Sequence, residues 1–212
     1  MALRALGDLH AMHRLLLQAF PDAEADEKGN KERVLLYRVE RPRFARDLPR
    51  VLVQSEIRPA WEKRPSYPSL AGRGRALTEL AQVDGPKEWA PRFTAKDVFR
   101  FRLLATPTVA RKFGPEAEKP GRRRIGLYTE EEQRNWLERK GGDHGFTVHD
   151  LRITPLGKLS GRSPKDGVIT HYGVEFDGLL QVDDPALFAA AIASGIGPAK
   201  GFGFGLLSLA RE

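Results

Sequence analysis

At 212 residues, 41% hydrophobic and 30% charged, the chain can bury a substantial core as one large domain or two small ones. The absence of cysteine excludes a disulfide framework, thiolate metal sites and thiol catalysis. No run approaches the roughly eighteen apolar residues a membrane span requires, and Met1 to Asp8 lacks the apolar centre of a secretory leader, so the expectation is a soluble, cytoplasmic protein without membrane contact. The formal net charge of +7 favours a polyanionic partner, because clustered Lys and Arg gain affinity for phosphates by releasing counterions.

From Asp8 to Phe20, Leu9, Met12, Leu15, Leu16, Ala19 and Phe20 recur at helical spacing behind an Asp8 placed as N-cap, and Pro21 ends the helix. Val34–Val39 and Val51–Ser55 are β-prone runs flanking Pro42 to Pro49, which predicts a hairpin with a basic connection. Beyond a turn near Trp61, the Pro/Gly/Ser/Arg mixture from Pro59 supports little regular structure until a strand at Leu77–Val83. Gly85-Pro86 and Ala90-Pro91-Arg92 place a domain divide between Asp84 and Thr94, giving an N-terminal domain over 1–92 and a C-terminal one over 93–212.

The second half restarts with Val98–Ala105, where Phe and Arg partly alternate, as in a strand with one apolar and one basic face. Thr106–Gly126 reads as a loop carrying Arg111, Lys112, Lys119, Arg122, Arg123 and Arg124 against Glu116 and Glu118, the strongest basic cluster of the chain. Thr129 followed by three glutamates is a capping-box start, and Arg139-Lys140 before Gly141-Gly142 closes a helix. Strands at Phe146–Pro155 and Val168–Val182 follow, joined by a Leu156–Gly167 connection with Lys158, Arg162 and Lys165; Asp183-Asp184-Pro185 then caps a helix over Ala186–Ala193.

Glycine recurs at 195, 197, 201, 203 and 205 before a closing apolar strand from Leu206, with Lys200 in the middle. Such a backbone lets a phosphate or another chain approach its amides. The order strand, helix, strand, strand, helix, strand is the ferredoxin-like unit, and the first half reads as the same unit with its first strand unrecognised. The fold class expected is α+β, with tandem ferredoxin-like, RRM-like domains and antiparallel sheets.

Four stretches in this order resemble the CasE-type CRISPR-associated endoribonucleases, the repeat-processing subunits of the Cascade surveillance complex. They are Asp8–Arg14, Val51–Ser55, Phe101–Pro107, and Gly195–Lys200 with Gly203–Leu209, the last being the most specific. The resemblance implies a tandem ferredoxin-like (RAMP) protein that binds the stem-loop of a CRISPR repeat transcript and cuts once at the 3′ base of the stem. It needs neither metal nor cofactor. The 2′-hydroxyl attacks the scissile phosphate, leaving a 2′,3′-cyclic phosphate and a 5′-hydroxyl, and the mature guide RNA is kept among the other Cascade subunits.

By the same resemblance the catalytic histidine falls on His13, in the arrangement Leu9-x-x-x-His13. The family carries a tyrosine three residues earlier; here that position is His10. Spacing i,i+3 sets the two side chains about 60° apart on the helix, so two imidazoles share a face and can divide base and acid roles. The family also opens with a strand before this helix, and the seven residues ahead of Asp8 are too few for one, so the expectation is either a misassigned or truncated start or a first sheet that lacks the strand and leaves an unpaired edge. Against the RNA the resemblance places Lys200 with the loop glycines Gly197 and Gly201, and Lys158, Arg162 and Lys165 along the stem; charge alone adds Arg122, Arg123 and Arg124.

Three other readings compete. A non-catalytic RNA-binding protein of the same fold would share every feature but the chemistry. A metal-dependent nuclease needs clustered carboxylates, whereas Glu130–Glu132 and Asp183-Asp184 are explained as helix starts. A nucleotide-binding P-loop sits between a strand and the next helix, and this glycine stretch follows a helix and leads into a strand.

Overall fold

Asp8 opens the first helix as its place ahead of an apolar stripe predicts, its Oδ1 accepting the amide N–H groups of His10 and Ala11 at 3.0 Å each. The computed structural model describes residues 8–17, 19–20, 35–40, 50–61, 85–114, 121–163 and 167–211. Helix α1 spans Leu9–Leu17. It buries Met12, Leu15 and Leu16 with Ala19 and Phe20 against Leu35 and Tyr37. Those two residues belong to β1 (Leu35–Glu40), which pairs antiparallel with β2 (Arg50–Ser55), Tyr37 opposite Val53. The predicted hairpin forms. The expected strand at Leu77–Val83 and the residues ahead of Asp8 lie outside the described residues.

In the second half, β3 (Val98–Ala105) alternates as predicted: Phe99, Phe101, Leu103 and Ala105 are buried, while Arg100 and Arg102 point the other way. With β6 (Phe146–Ser163), β7 (Gly167–Val182) and β8 (Leu207–Ala210) it forms a four-stranded sheet in the order β6-β7-β3-β8, every neighbour antiparallel. That is the ferredoxin-like strand order. Helices α2 (Glu130–Asp143) and α3 (Pro185–Ser194) bury Trp136, Leu137, Phe188, Ala191 and Ile192 on its apolar face. Both start where the sequence predicts. Thr129 and Glu132 make a reciprocal capping box, and Asp184 accepts from the amides of Ala186 and Leu187. On the opposite face Arg102 donates to Asp177 at 2.7 Å.

Three expectations are corrected. Thr106–Gly126 is not a loop: β4 (Thr108–Phe113) and β5 (Gly121–Gly126) pair antiparallel, with Lys112 opposite Arg122, Arg111 opposite Arg123 and Ala110 opposite Arg124. The β-branched Thr108, Val109 and Ile125 supply strand propensity that the density of cations hid. Helix α2 passes through Gly141-Gly142, and a side chain at 141 would run into the carbonyl oxygen of Phe146. Glycine there serves close packing, and the helix ends before Gly145, at φ +74°. Finally, β6 continues through most of the expected Leu156–Gly167 connection to Ser163, with register shifts at Val148/Leu151 and Pro155/Gly157 that let the ladder absorb Pro155.

The long β6–β7 ribbon reaches the start of α1. The Arg162 amide donates to the Asp8 carboxylate at 3.3 and 3.4 Å, and a Cβ on Gly161 would lie 2.7 Å from the His10 amide nitrogen. Elsewhere the halves meet where Arg38 donates to the Arg102 carbonyl at 3.3 Å and Gln54 to the Ile192 carbonyl at 2.7 Å. Gly161→Ala should therefore push the ribbon off α1 and cost about 1–3 kcal/mol in urea unfolding, as overpacking does. Gly142→Ala, in open space on a helix, should be neutral or stabilising by up to about 1 kcal/mol. Equal effects of the two would contradict this docking.

Candidate functional site

Helix α1 presents His10 and His13 to the same piece of chain, a single 3-10 turn at Lys200–Phe202. A Cβ built on Gly201 would lie 3.5 Å from Cε1 and Nε2 of His13, and the His10 ring stands 6.5 Å from that of Phe202. The spacing read from the sequence thus gathers both imidazoles at one turn. His13 is 8% exposed and stacks on Tyr37 at 6.3 Å between centroids. Tyr37, fully buried, donates its hydroxyl to the Leu9 carbonyl at 3.0 Å and more weakly to Gly201 at 3.4 Å. Burial first, and then the Asp8 carboxylate, raise the phenol's pKa, so this hydroxyl stays a donor.

The turn's own geometry explains its glycines. Ala199 is left-handed at φ +61°, and Gly203, at φ +84°, would put a side chain 2.9 Å from the Tyr37 ring. Phe202 is also packed by His171 of β7 at 5.0 Å, and His171 meets Phe204 at 5.7 Å. Burial lowers the His171 pKa below its ordinary 6.5, and its Nε2 is buried with no hydrogen-bond partner among the described residues.

The remaining candidates fall into two neighbourhoods. Lys158 and Arg162 are exposed on β6, with Arg162 beside the N-terminus of α1. Lys200 and Gly197 line a separate cavity that also holds Arg124. Gly197 lies against Trp136, where a Cβ would be 3.0 Å from the indole. Strand alternation puts Arg123 and Arg124 on opposite faces of β5; the backbone of Arg122 is in the ladder opposite Lys112. Lys165 lies outside the described residues. Among the described residues no three His, Asp or Glu side chains gather as metal ligands, and no helix is long and apolar enough to cross a membrane.

The sequence pattern of the family described as CRISPR associated protein matches residues 2–211. The chain is 34% identical to the CRISPR-associated endoribonuclease Cse3 of Thermus thermophilus, over 99% of this chain and 93% of that one. The chain belongs to the Cse3/CasE family of CRISPR-associated endoribonucleases. The structure of Thermus thermophilus Cse3 bound to an RNA representing a pre-cleavage complex superposes with a TM-score of 0.73 at 31% identity, covering 99% of this chain and 92% of that one. A partial match joins the Cascade subunit CasE of Escherichia coli, 38% identical over 41% of this chain and 43% of that one. Within a Cse3/CasE chain, Tyr37, Phe202 and His171 are the site neighbours that sequence reasoning missed. Tyr37 reads only as one more β-prone aromatic, and nothing local marks His171 as a partner of a turn thirty residues on.

His171 gives this neighbourhood a pH dependence. Its pKa is lower folded than unfolded, so above about pH 6.5 it is neutral in both states and costs nothing. As pH falls from there toward the lowered folded value, the unfolded state takes the proton first and stability is lost. The fall in Tm between pH 7.5 and 5.5 should shrink in His171→Phe, which keeps the ring packing and removes the titration. An identical fall in the two proteins would contradict the assignment.

Proposed function

We propose that the chain is a metal-independent endoribonuclease that binds the stem-loop of a CRISPR repeat transcript and cuts it at the 3′ base of the stem. The observation that carries this reading is the placement of His13 and His10 on one face of α1 against the Lys200–Phe202 turn, in a chain similar to Cse3 over nearly its whole length. The 2′-oxygen of the nucleotide before the cut forms a bond to phosphorus as the bond to the 5′-oxygen breaks. One imidazole takes the 2′-hydroxyl proton and the other gives a proton to the leaving oxygen, so the balance closes without a metal. His13 lies against the turn, which the scissile phosphate must therefore contact or displace.

In this reading the protein is a tandem of ferredoxin-like domains, 1–92 carrying the catalytic helix and 93–212 the glycine turn and the ribbon. Lys158, Arg162 and Lys165 follow the stem, since A-form RNA is held through phosphates, 2′-hydroxyls and shape. Lys200, Gly197, Gly201 and the Arg122–Arg124 strand add backbone contacts. The product stays bound as the guide RNA of a Cascade assembly, a reading supported by the similarity to Escherichia coli CasE. With excess chelator present, the parent should cut its own repeat hairpin at full rate. His13→Ala should slow cleavage at least about 100-fold while the Kd for the hairpin changes less than about twofold. Unchanged cleavage in His13→Ala would defeat the catalytic assignment and leave the non-catalytic RNA-binding protein.

A further inference from the structure

A cavity of about 510 Å³, within the usual 300–1,000 Å³ of small-ligand pockets, opens beside the glycine turn but is not lined by either α1 histidine. Arg124 of β5, Arg139, Lys140 and His144 at the end of α2, and Lys200 of the turn converge on it from three separate elements. Among the described residues no carboxylate lines it. Lys140 is paired with Asp143 at 2.9 Å, which neutralises one of these cations. The last-turn carbonyls of α2 account for a cation or two at that helix end, not for Arg124 and Lys200 brought in from elsewhere. Burial and then the nearby Lys140 lower the pKa of Lys200, and burial followed by Lys140 does the same for His144. Lys200 and His144 are thus partly stripped of water beside further cations, with Asp143 the one acidic group acting on this end of α2 among the described residues, and an anion entering the cavity would relieve that crowding. The Thr108 hydroxyl at the wall is buried without a hydrogen-bond partner among the described residues, and Trp136 supplies an apolar side.

We propose that this cavity seats a backbone phosphate of the bound RNA, with Arg139, Lys140 and His144 joining Lys200 and Arg124 as its ligands. The proposal rests on the RNA-binding reading above and names a contact that does no chemistry. One turn then serves both places, since Gly201 packs on His13 while the neighbouring Lys200 reaches the phosphate.

The test uses the ¹⁵N-labelled full chain titrated with inorganic phosphate and with adenosine monophosphate. The amides of His144, Gly195 and Gly197 should shift saturably, and repeat RNA should displace both probes. Arg139→Gln/Lys140→Gln, with an unchanged urea midpoint, should weaken phosphate binding at least fivefold. It should weaken RNA binding about tenfold at 150 mM salt and lower the slope of log K against log salt by up to about 0.9, the value for one lost phosphate contact. Absence of saturable shifts, shifts indifferent to the double substitution, or probes that RNA fails to displace would each overturn the proposal. Because the phosphate titration does not read cleavage, a chain that bound phosphate here yet cut no RNA would refute the nuclease reading and leave this site standing.

Discussion

The single hydroxyl proton of Tyr37 is donated to the Leu9 carbonyl in the first turn of α1 at 3.0 Å and shared more weakly with the Gly201 carbonyl of the 3-10 turn at 3.4 Å, and the rest of the candidate site depends on that link. A buried phenol with both acceptors in place fixes the distance between a helix from the first half of the chain and a loop from the second. Losing a buried hydrogen bond of this kind costs about 1–3 kcal/mol, because the acceptors cannot turn to water instead. Gly203 is the geometric condition for the link, since a side chain there would occupy the space of the Tyr37 ring. His13, stacked on that ring, inherits its position from the same contact.

Around this junction the cations are sorted by the secondary structure that carries them. The β6–β7 ribbon brings Arg162 to the N-terminus of α1, where its amide shares Asp8 with the helix cap. The β4–β5 ribbon sets Arg111 opposite Arg123 and Lys112 opposite Arg122 in its backbone register.

Much of the fold is legible in the sequence because several signals agree locally. Asp8, Thr129 and Asp184 each cap the helix that the apolar spacing predicts, and the alternation of Val98–Ala105 fixes which face of β3 is buried. The misreadings arise where one residue type serves two purposes. Gly141 reads as a stop and instead makes room for Phe146, and the cations of Thr108–Gly126 conceal a strand pair whose β-branched residues are few. At the site, the i,i+3 spacing is enough to place His10 and His13 on one face. Long-range packing is not legible: nothing near Tyr37 or His171 in the chain announces the turn they hold, and the cavity joins residues from 108 to 200.

The claim that the Tyr37 link positions His13 is tested most directly by Tyr37→Phe, which keeps the ring against His13 and Gly203 and removes only the hydroxyl. Single-turnover cleavage of the repeat hairpin should slow about tenfold, the effect of a modest misplacement of the group proposed to be catalytic, while the Kd for the hairpin stays within about twofold. A cleavage rate equal to the parent's would show that the imidazole does not depend on the link, and would contradict the account.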